Sequence, residues 1–564
     1  MGRFESLKKK LCRTRRGVLL LNEKESRLIT TKCEQLKQIA AEGHIEHPLV
    51  GKLPPDAFVP LNASIPVLAD DDVLSVFRKC HACSHLPQFS LAGARETYKL
   101  DPSRLSVGVL TAGGNAPGLD AIVDSLVKRQ FSLGTEQCKK TDIALTAEKY
   151  PPELKFYGIV GGYRGLLELE DATNRRWVRQ LHPRETDAWA TRGCSTLHAL
   201  RTNSYALESD DEKERESAQK EFEGFVNTLA EKVRKLRLDI LYTIGGNGTL
   251  MVADALGKKL LDGSGAPCLI VAGPKTMDND INFTDVTFGF RTTVDNAIQF
   301  LRDFHREAET LERVGIVELF GADSGFVALH AAYASGEADY VLIPEMMGGT
   351  IKSASDELQK AIAHIRDRLE KKRHAMLVVA EGATTRAYEA MMSDAEERKR
   401  RICAGLEEME NLAGPLMTEQ TAAAREKVRA SFVASAESIK ELTPGQVSDT
   451  SALKGFQHGR KKEQEKAFAE LVEYIKRIIG HDVFFSQPRH LIRATPPNGF
   501  DMDLCKYTGK LMVDTALSGF TRCAVHLWQG NYVLVPLETA VAKLKRVDTS
   551  GYYFMSMWEK YLLD

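Results

Sequence analysis

Leu238-Asp-Ile-Leu-Tyr-Thr-Ile-Gly-Gly-Asn-Gly-Thr249 is a short apolar run that ends in glycines and leads into a helix-like segment. A run this continuous suits a strand covered on both faces. The same design recurs on either side of it. Ser106-Val-Gly-Val-Leu-Thr-Ala runs into Gly113-Gly114, with a helix-like segment from Leu119 to Lys128 behind it. Phe156-Tyr-Gly-Ile-Val, Cys268-Leu-Ile-Val-Ala, Val314-Gly-Ile-Val-Glu-Leu-Phe, Tyr340-Val-Leu-Ile and Ala375-Met-Leu-Val-Val-Ala are further strands of this kind. Strands alternating with helices predict an α/β fold: two Rossmann-like parallel-sheet domains, with an N-terminal extension and a helical insertion. In such folds ligands bind beyond the carboxyl ends of the strands.

Length and composition fit that reading. A chain of 564 residues is too long for one ordinary core, and two to four domains or subdomains are expected. Hydrophobic residues at 43% and charged residues at 27% exclude a disordered or collagen-like chain. A formal net charge of -1 provides no basic field for nucleic acid. The ten cysteines sit singly apart from Cys80 and Cys83, which predicts free thiols in a reducing, cytoplasmic setting. No apolar run approaches the ~20 residues of a membrane helix.

Glycines at strand ends let backbone N–H groups approach an anion. Gly113-Gly-Asn-Ala-Pro-Gly118, Gly161-Gly-Tyr-Arg-Gly165 and Gly245-Gly-Asn-Gly-Thr249 each follow a strand, and the first and last lead into helices. A single one is explained by tight strand-to-helix turns; three in one sheet point to phosphate handling. The sharpest segment is Gly273-Pro-Lys-Thr-Met-Asp-Asn-Asp280, directly after a strand. Asp278 and Asp280 would share one side of an extended stretch. Paired carboxylates beside a phosphate cradle suit the holding of Mg²⁺ and the acceptance of a proton from an attacking hydroxyl. Asp-Asn-Asp is also ordinary turn chemistry, so both readings stand at this point.

Taken together, these segments resemble the phosphofructokinase family, from about 89 to 385 and again from about 486 to 545. The T-x-D-N-D segment, with G-G-x-x-P-G before it and G-G-x-G-T between, carries the resemblance. The N-terminal lead-in and Phe288-Gly-Phe-Arg-Thr-Thr-Val look most like the long ATP-dependent branch of plants and trypanosomatids. The resemblance implies an oligomeric, allosteric glycolytic enzyme that phosphorylates the 1-hydroxyl of fructose 6-phosphate with Mg²⁺. The assembly would be a homo-oligomer or a hetero-oligomer, with no nucleic-acid partner.

By the same resemblance, Asp278 matches the catalytic base and Thr276 its partner at the reacting groups. Asp280 matches a carboxylate near Mg²⁺, with Asn247 beside it. Gly113, Tyr163, Arg201, Gly246, Asn247, Gly248, Thr249 and Lys275 match donor-phosphate or nucleotide positions. On the acceptor side Thr276, Asp278 and Asp280 are joined by Phe320, Gly321 and Glu381, and by His490 and Arg493 of an H-x-x-R pair. Arg313 falls where bacterial members place an arginine that reaches a neighbouring subunit's site; otherwise it is a surface residue ending a helix.

This chain departs from the family pattern at three places. Asn247 replaces the Asp of G-G-D-G and brings no negative charge to Mg²⁺. In Glu318-Leu-Phe-Gly-Ala-Asp-Ser-Gly325, Phe320 stands for Met and Ala322 for an arginine that stabilises transition-state charge. Val252 replaces a small residue near the adenine pocket. These departures keep open a slow enzyme, a pyrophosphate donor or a catalytically weakened regulatory subunit. Gly248 leaves room for a nucleotide and favours ATP. Lys275 is common among pyrophosphate users, but ATP enzymes of the long branch carry it too.

The expected organisation is an N-terminal extension over 1–104, a donor-binding domain over 105–300 and 497–545, and a sugar-phosphate domain over 301–385 and 481–496. A charged helical insertion occupies 386–480 and a tail 546–564. Cys80-His-Ala-Cys83-Ser-His85 has no second Cys-x-x-Cys to complete a zinc site and reads as ordinary thiols. Met1-Gly-Arg-Phe-Glu-Ser6 is a short myristoylation-like pattern, followed by a basic stretch from Lys8 to Arg16 that reads as a solvated helix.

Overall fold

The computed structural model describes residues 45–50, 52, 57–60, 63–66, 88–170, 174, 176–201, 205, 211–262, 267–395, 400, 461–551 and 554–555. The readings made on Met1–Arg16, on Cys80–His85 and on 401–460 of the insertion lie outside the described residues. The chain divides into two compact units, Met1–Ala297 with Arg489–Asp564, and Ile298–Pro488.

In chain order the strands are β1 (Ile45–Glu46), β2 (Ser64–Pro66), β3 (Gln88–Leu91), β4 (Thr97–Tyr98), β5 (Ser106–Thr111), β6 (Lys155–Ile159), β7 (Val178–Gln180), β8 (Ile240–Gly245), β9 (Leu269–Pro274), β10 (Val314–Leu319), β11 (Tyr340–Leu342), β12 (Ala375–Ala380), β13 (Val483–Ser486), β14 (Cys523–Trp528) and β15 (Asn531–Pro536). The first unit carries a nine-stranded sheet in the order β2-β3-β15-β14-β9-β8-β5-β6-β7. Its centre is parallel, from β14 through β9, β8 and β5 to β6. Both margins are antiparallel.

The parallel centre follows from continuous apolar strands: every residue of β8 and β9 is buried. The β14–β15 hairpin was not anticipated, although a turn signal was present. Gln529 and Gly530 take φ of 52° and 74°, the two left-handed positions of a tight hairpin turn.

Helix Leu119–Lys140 packs along helix Gly499–Leu517. Contact is close because Gly509 faces Ser125; a Cβ on that glycine would lie 2.8 Å from Ser125 Cβ. A buried polar cluster pins the pair. Arg129 donates to both oxygens of Asp514, and Tyr98 Oη donates to Asp514 Oδ1 at 2.8 Å.

The second unit has a four-stranded, wholly parallel sheet, β11-β12-β10-β13. Helices Phe326–Ser335, Ile351–Lys371 and Lys461–Ile479 belong to it, and residues 381–395 continue helically straight from β12. Thr350 caps the second of these by accepting from Ser353 N at 3.1 Å.

Candidate active site

In the first unit the site is built at the carboxyl ends of β5, β8 and β9. Helix Asn247–Leu261 begins directly after β8, capped by Gly246 with no side-chain hydrogen bond. Its first N–H groups therefore have no intrahelical acceptor and favour an anion there. Nothing lies within 4 Å of a Cβ built on Gly248, so the space above this turn is open.

Lys275, just past β9, is buried at 4% exposure. Its Nζ donates to the carbonyl oxygens of Gly113 and Gly114 at 3.0 and 2.9 Å. Burial holds its pKa down at about 8, and the nearby carboxylates of Asp278 and Asp280 oppose that shift. The loop glycines adopt φ of 82° and 89°, which a side-chain-bearing residue rarely takes. A Cβ on Gly113 would meet Thr249 Oγ1 at 3.2 Å, and one on Gly114 would meet Arg201 Nε at 3.3 Å. Gly113, Gly114, Arg201, Gly246, Thr249 and Lys275 are thus one cluster.

One expectation needs correction. The amides of Gly113 and Gly114 donate to the carbonyls of Leu200 and Ala199 at 3.3 and 3.0 Å. They are not a bare anion cradle here. The segment 199–201 runs against them, and the donors without intrahelical acceptors are those of the Asn247 helix start.

The carboxylate turn is not extended, contrary to the reading of a shared strand side. Asn279 takes φ 56°, a left-handed conformation that asparagine tolerates. Turn chemistry is supplied by its neighbours. Asp278 N donates to Thr276 Oγ1 at 3.1 Å, and Thr287 N donates to Asn279 Oδ1 at 3.1 Å. Thr276 Oγ1 reaches Asp278 Oδ2 at 3.4 Å. Both carboxylates lie close enough to act on the Lys275 charge. Burial raises the Asp280 pKa, against hydrogen bonds from Thr276, its own amide and Asn247.

The oxygens here suit a hard cation. Asn247 Oδ1 and Asp280 Oδ1 are buried with no hydrogen-bond partner. One or two carboxylates plus substrate phosphates are the usual Mg²⁺ environment, so the donor set fits. No group of three or more His, Cys, Asp or Glu with metal-binding placement occurs among the described residues.

His490 and Arg493 form the short turn His490–Arg493 in this same unit. His490 is exposed, and Arg493 is near enough for its charge to lower the Lys275 pKa. The turn is held from two sides. Asn296 Nδ2 donates to Ile492 O, and Gly193 packs so tightly on Ala494 that a Cβ would lie 2.5 Å from its carbonyl oxygen. Tyr163, by contrast, is fully buried, and its hydroxyl donates to Thr249 O at 3.0 Å. Its side chain braces the start of the Asn247 helix and does not face a ligand. Val252 is sealed in the core with Leu250 and Ala253.

The remaining candidates lie in the second unit. Phe320 and Gly321 follow β10, and Glu381 follows β12. These two strand ends approach closely: a Cβ on Gly382 would lie 2.3 Å from Ala322 O. Ala322 itself takes φ 46°. Arg313 pairs with Asp482 at 2.7 Å within the unit.

The family model described as Phosphofructokinase matches residues 141–516, more than half of the chain. The chain belongs to the phosphofructokinase family. The family is one of phosphotransferases. The ATP-dependent 6-phosphofructokinase of Spirochaeta thermophila is 33% identical over 293 residues, covering 52% of this chain and 67% of its own. A protein of the same description from Trypanosoma cruzi is 27% identical over 466 residues, 82% of this chain and 74% of its own. Among solved structures, the T-state phosphofructokinase of Pichia pastoris shares the fold with a TM-score of 0.51 and 18% identity. That match covers 82% of this chain, which spans only 39% of the Pichia chain.

Within this phosphofructokinase fold, sequence reasoning missed the residues that hold the site from a distance. Asp120 is fully buried and accepts from Thr196 N and Oγ1 at 2.8 and 2.5 Å, anchoring the loop that ends at Arg201. Glu318 accepts from Thr384 Oγ1 at 2.6 Å and from Gln487 Nε2, tying three strand ends of the second unit. Neither pairing has a local sequence signal, because the partners lie 66 to 169 residues apart.

Proposed function

We propose that the chain is an ATP-dependent 6-phosphofructokinase converting fructose 6-phosphate to fructose 1,6-bisphosphate. The observation that carries this reading is the meeting of Lys275, the uncapped Asn247 helix start and the Asp278–Asp280 turn at adjacent strand ends. In this reading Asp278 takes the proton from the sugar 1-hydroxyl. The oxygen bonds to the γ-phosphorus, the bond to the bridging oxygen breaks, and ADP leaves. Catalysis is chiefly positioning and charge stabilisation.

Thr276 orients Asp278. Lys275, Arg201 and the Gly246–Thr249 turn hold the donor phosphates. Asp280 and Asn247 would hold Mg²⁺, which when bound supplies charge neutralisation to the phosphates. His490 and Arg493 bind the sugar 6-phosphate. ATP is favoured by the open space at Gly248. Among the described residues, Cys138, Cys194, Cys268, Cys505 and Cys523 are free thiols; a cytoplasmic, glycolytic role is part of this reading.

A weakened regulatory subunit is a second reading, favoured by Ala322 where the family arginine would stand. One assay separates these readings: the purified chain with fructose 6-phosphate, ATP or pyrophosphate, with and without Mg²⁺. Mg²⁺-dependent turnover with ATP is expected. Turnover with pyrophosphate alone would replace the donor assignment, and turnover only with a partner chain would favour the regulatory reading.

A further inference from the structure

The carboxylate turn lies in a stretch with little regular structure, from the end of β9 at Pro274 to the helix Phe290–Thr310. Backbone groups there must find partners one by one. Three of its carbonyls are met by one residue. Lys545 N donates to Asp280 O at 2.8 Å, and Lys545 Nζ donates to Thr284 O at 2.8 Å and Asp285 O at 3.1 Å.

The hairpin β14–β15 supplies further partners. His526 Nδ1 meets Phe283 O at 2.9 Å, and Asp285 N donates to Leu527 O at 2.7 Å. Gly530 N donates to Asp285 Oδ2 at 3.0 Å. The stretch needs this holding. Phe283 takes φ 53°, a conformation a bulky residue keeps only where its surroundings over-determine it. Its ring is fixed edge-on between Phe89 and Trp528.

We propose that Lys545 is a positioning residue: it clamps the backbone from Asp280 to Asp285, so that the carboxylates of Asp278 and Asp280 keep their catalytic placement. The inference rests on the proposed phosphoryl-transfer reading for its effect on rate, but not for the clamp itself. Lys545 lies 265 residues from Asp280 in sequence, and the Asp280 and Asp285 carboxylates lie close enough to act on its buried ammonium. Its three hydrogen bonds to this stretch all end on main-chain carbonyls, and its charge faces Asp280 as well. Small displacements of reacting groups cost large factors in rate.

The test compares K545M and K545R with the wild type. K545M keeps the main-chain N–H and loses the ammonium. Its kcat should fall by about 10- to 100-fold, with KM for fructose 6-phosphate within about two-fold, and K545R should recover at least about a third of the wild-type kcat. Hydrogen exchange gives a second readout, independent of activity. Amides of residues 281–287 should exchange about 10-fold faster or more in K545M, with the sheet strands unchanged. A kcat within two-fold of wild type, or a loss of kcat matched by a general loss of exchange protection, overturns the positioning role. Unchanged exchange at 281–287 overturns the clamp. If the wild type transfers no phosphoryl group, the function reading fails, and the exchange measurement still decides the clamp.

Discussion

Lys275 and Gly114 are joined by a hydrogen bond of 2.9 Å from the buried ammonium to the loop carbonyl. This bond ties the end of β9 to the end of β5. Its donor carries a charge that burial has made easy to lose, at a pKa of about 8.

A pH dependence follows. As pH rises through 8, Lys275 becomes neutral, and under the proposed reading it loses its attraction for donor phosphates. KM for ATP should climb above pH 8, and this climb should be absent in K275M, whose KM is high throughout. The stability effect has the opposite sense. An unfolded lysine titrates near its ordinary value of 10.5, so between 8 and 10.5 the unfolded chain binds more protons than the folded one. Over that window this group makes folding more favourable as pH rises. Urea unfolding of wild type and K275M at pH 7 and pH 10 would measure the difference.

Asp278→Asn removes the proton acceptor while keeping the shape of the turn. Turnover should drop by about 100- to 10,000-fold, the span attributed to a positioned general base. Fructose 6-phosphate binding, read by calorimetry, should change little. Near wild-type turnover would refute the assignment of the base.

Chelation tests the oxygen site formed by Asn247 and Asp280. Removal of divalent cations should abolish ATP-dependent turnover, and added Mg²⁺ should restore it. Asn247→Asp adds a carboxylate beside Asp280, and should lower the Mg²⁺ concentration needed for half-maximal rate. An unchanged Mg²⁺ requirement in that variant would remove Asn247 from the site.

Asp514→Ala strips the acceptor from Arg129 and Tyr98 between two packed helices. The pair is largely buried, at 18% and 4% side-chain exposure. Leaving the guanidinium uncompensated should cost about 3–5 kcal/mol, seen as a lower urea midpoint. The variant Asp514→Asn should fall between, since it keeps a hydrogen-bond acceptor.

What was legible in the sequence was whatever is written locally. The apolar run before Gly245 gave strand β8, and the T-x-D-N-D segment gave the carboxylate turn. The turn's conformation was not legible, because Asn279 at positive φ depends on Thr287 eight residues on. The glycine amides of the first loop were read as free donors, but segment 199–201 takes them. The family resemblance puts Tyr163 at a donor-phosphate or nucleotide position, yet its ring is core. Lys545, Asp120 and Glu318 left no trace because their partners are distant in the chain, and only the folded sheet brings them together.

Strand β14 lies against β9 in the parallel centre of the large sheet, although about 250 residues separate them. During synthesis at about 5–20 residues per second, β9 would wait roughly 12–50 seconds for that neighbour. Throughout this interval a fully apolar strand edge, Leu269–Pro274, is open to misplaced pairing. Newly made chains should therefore lean on a chaperone until Trp528 has left the ribosome.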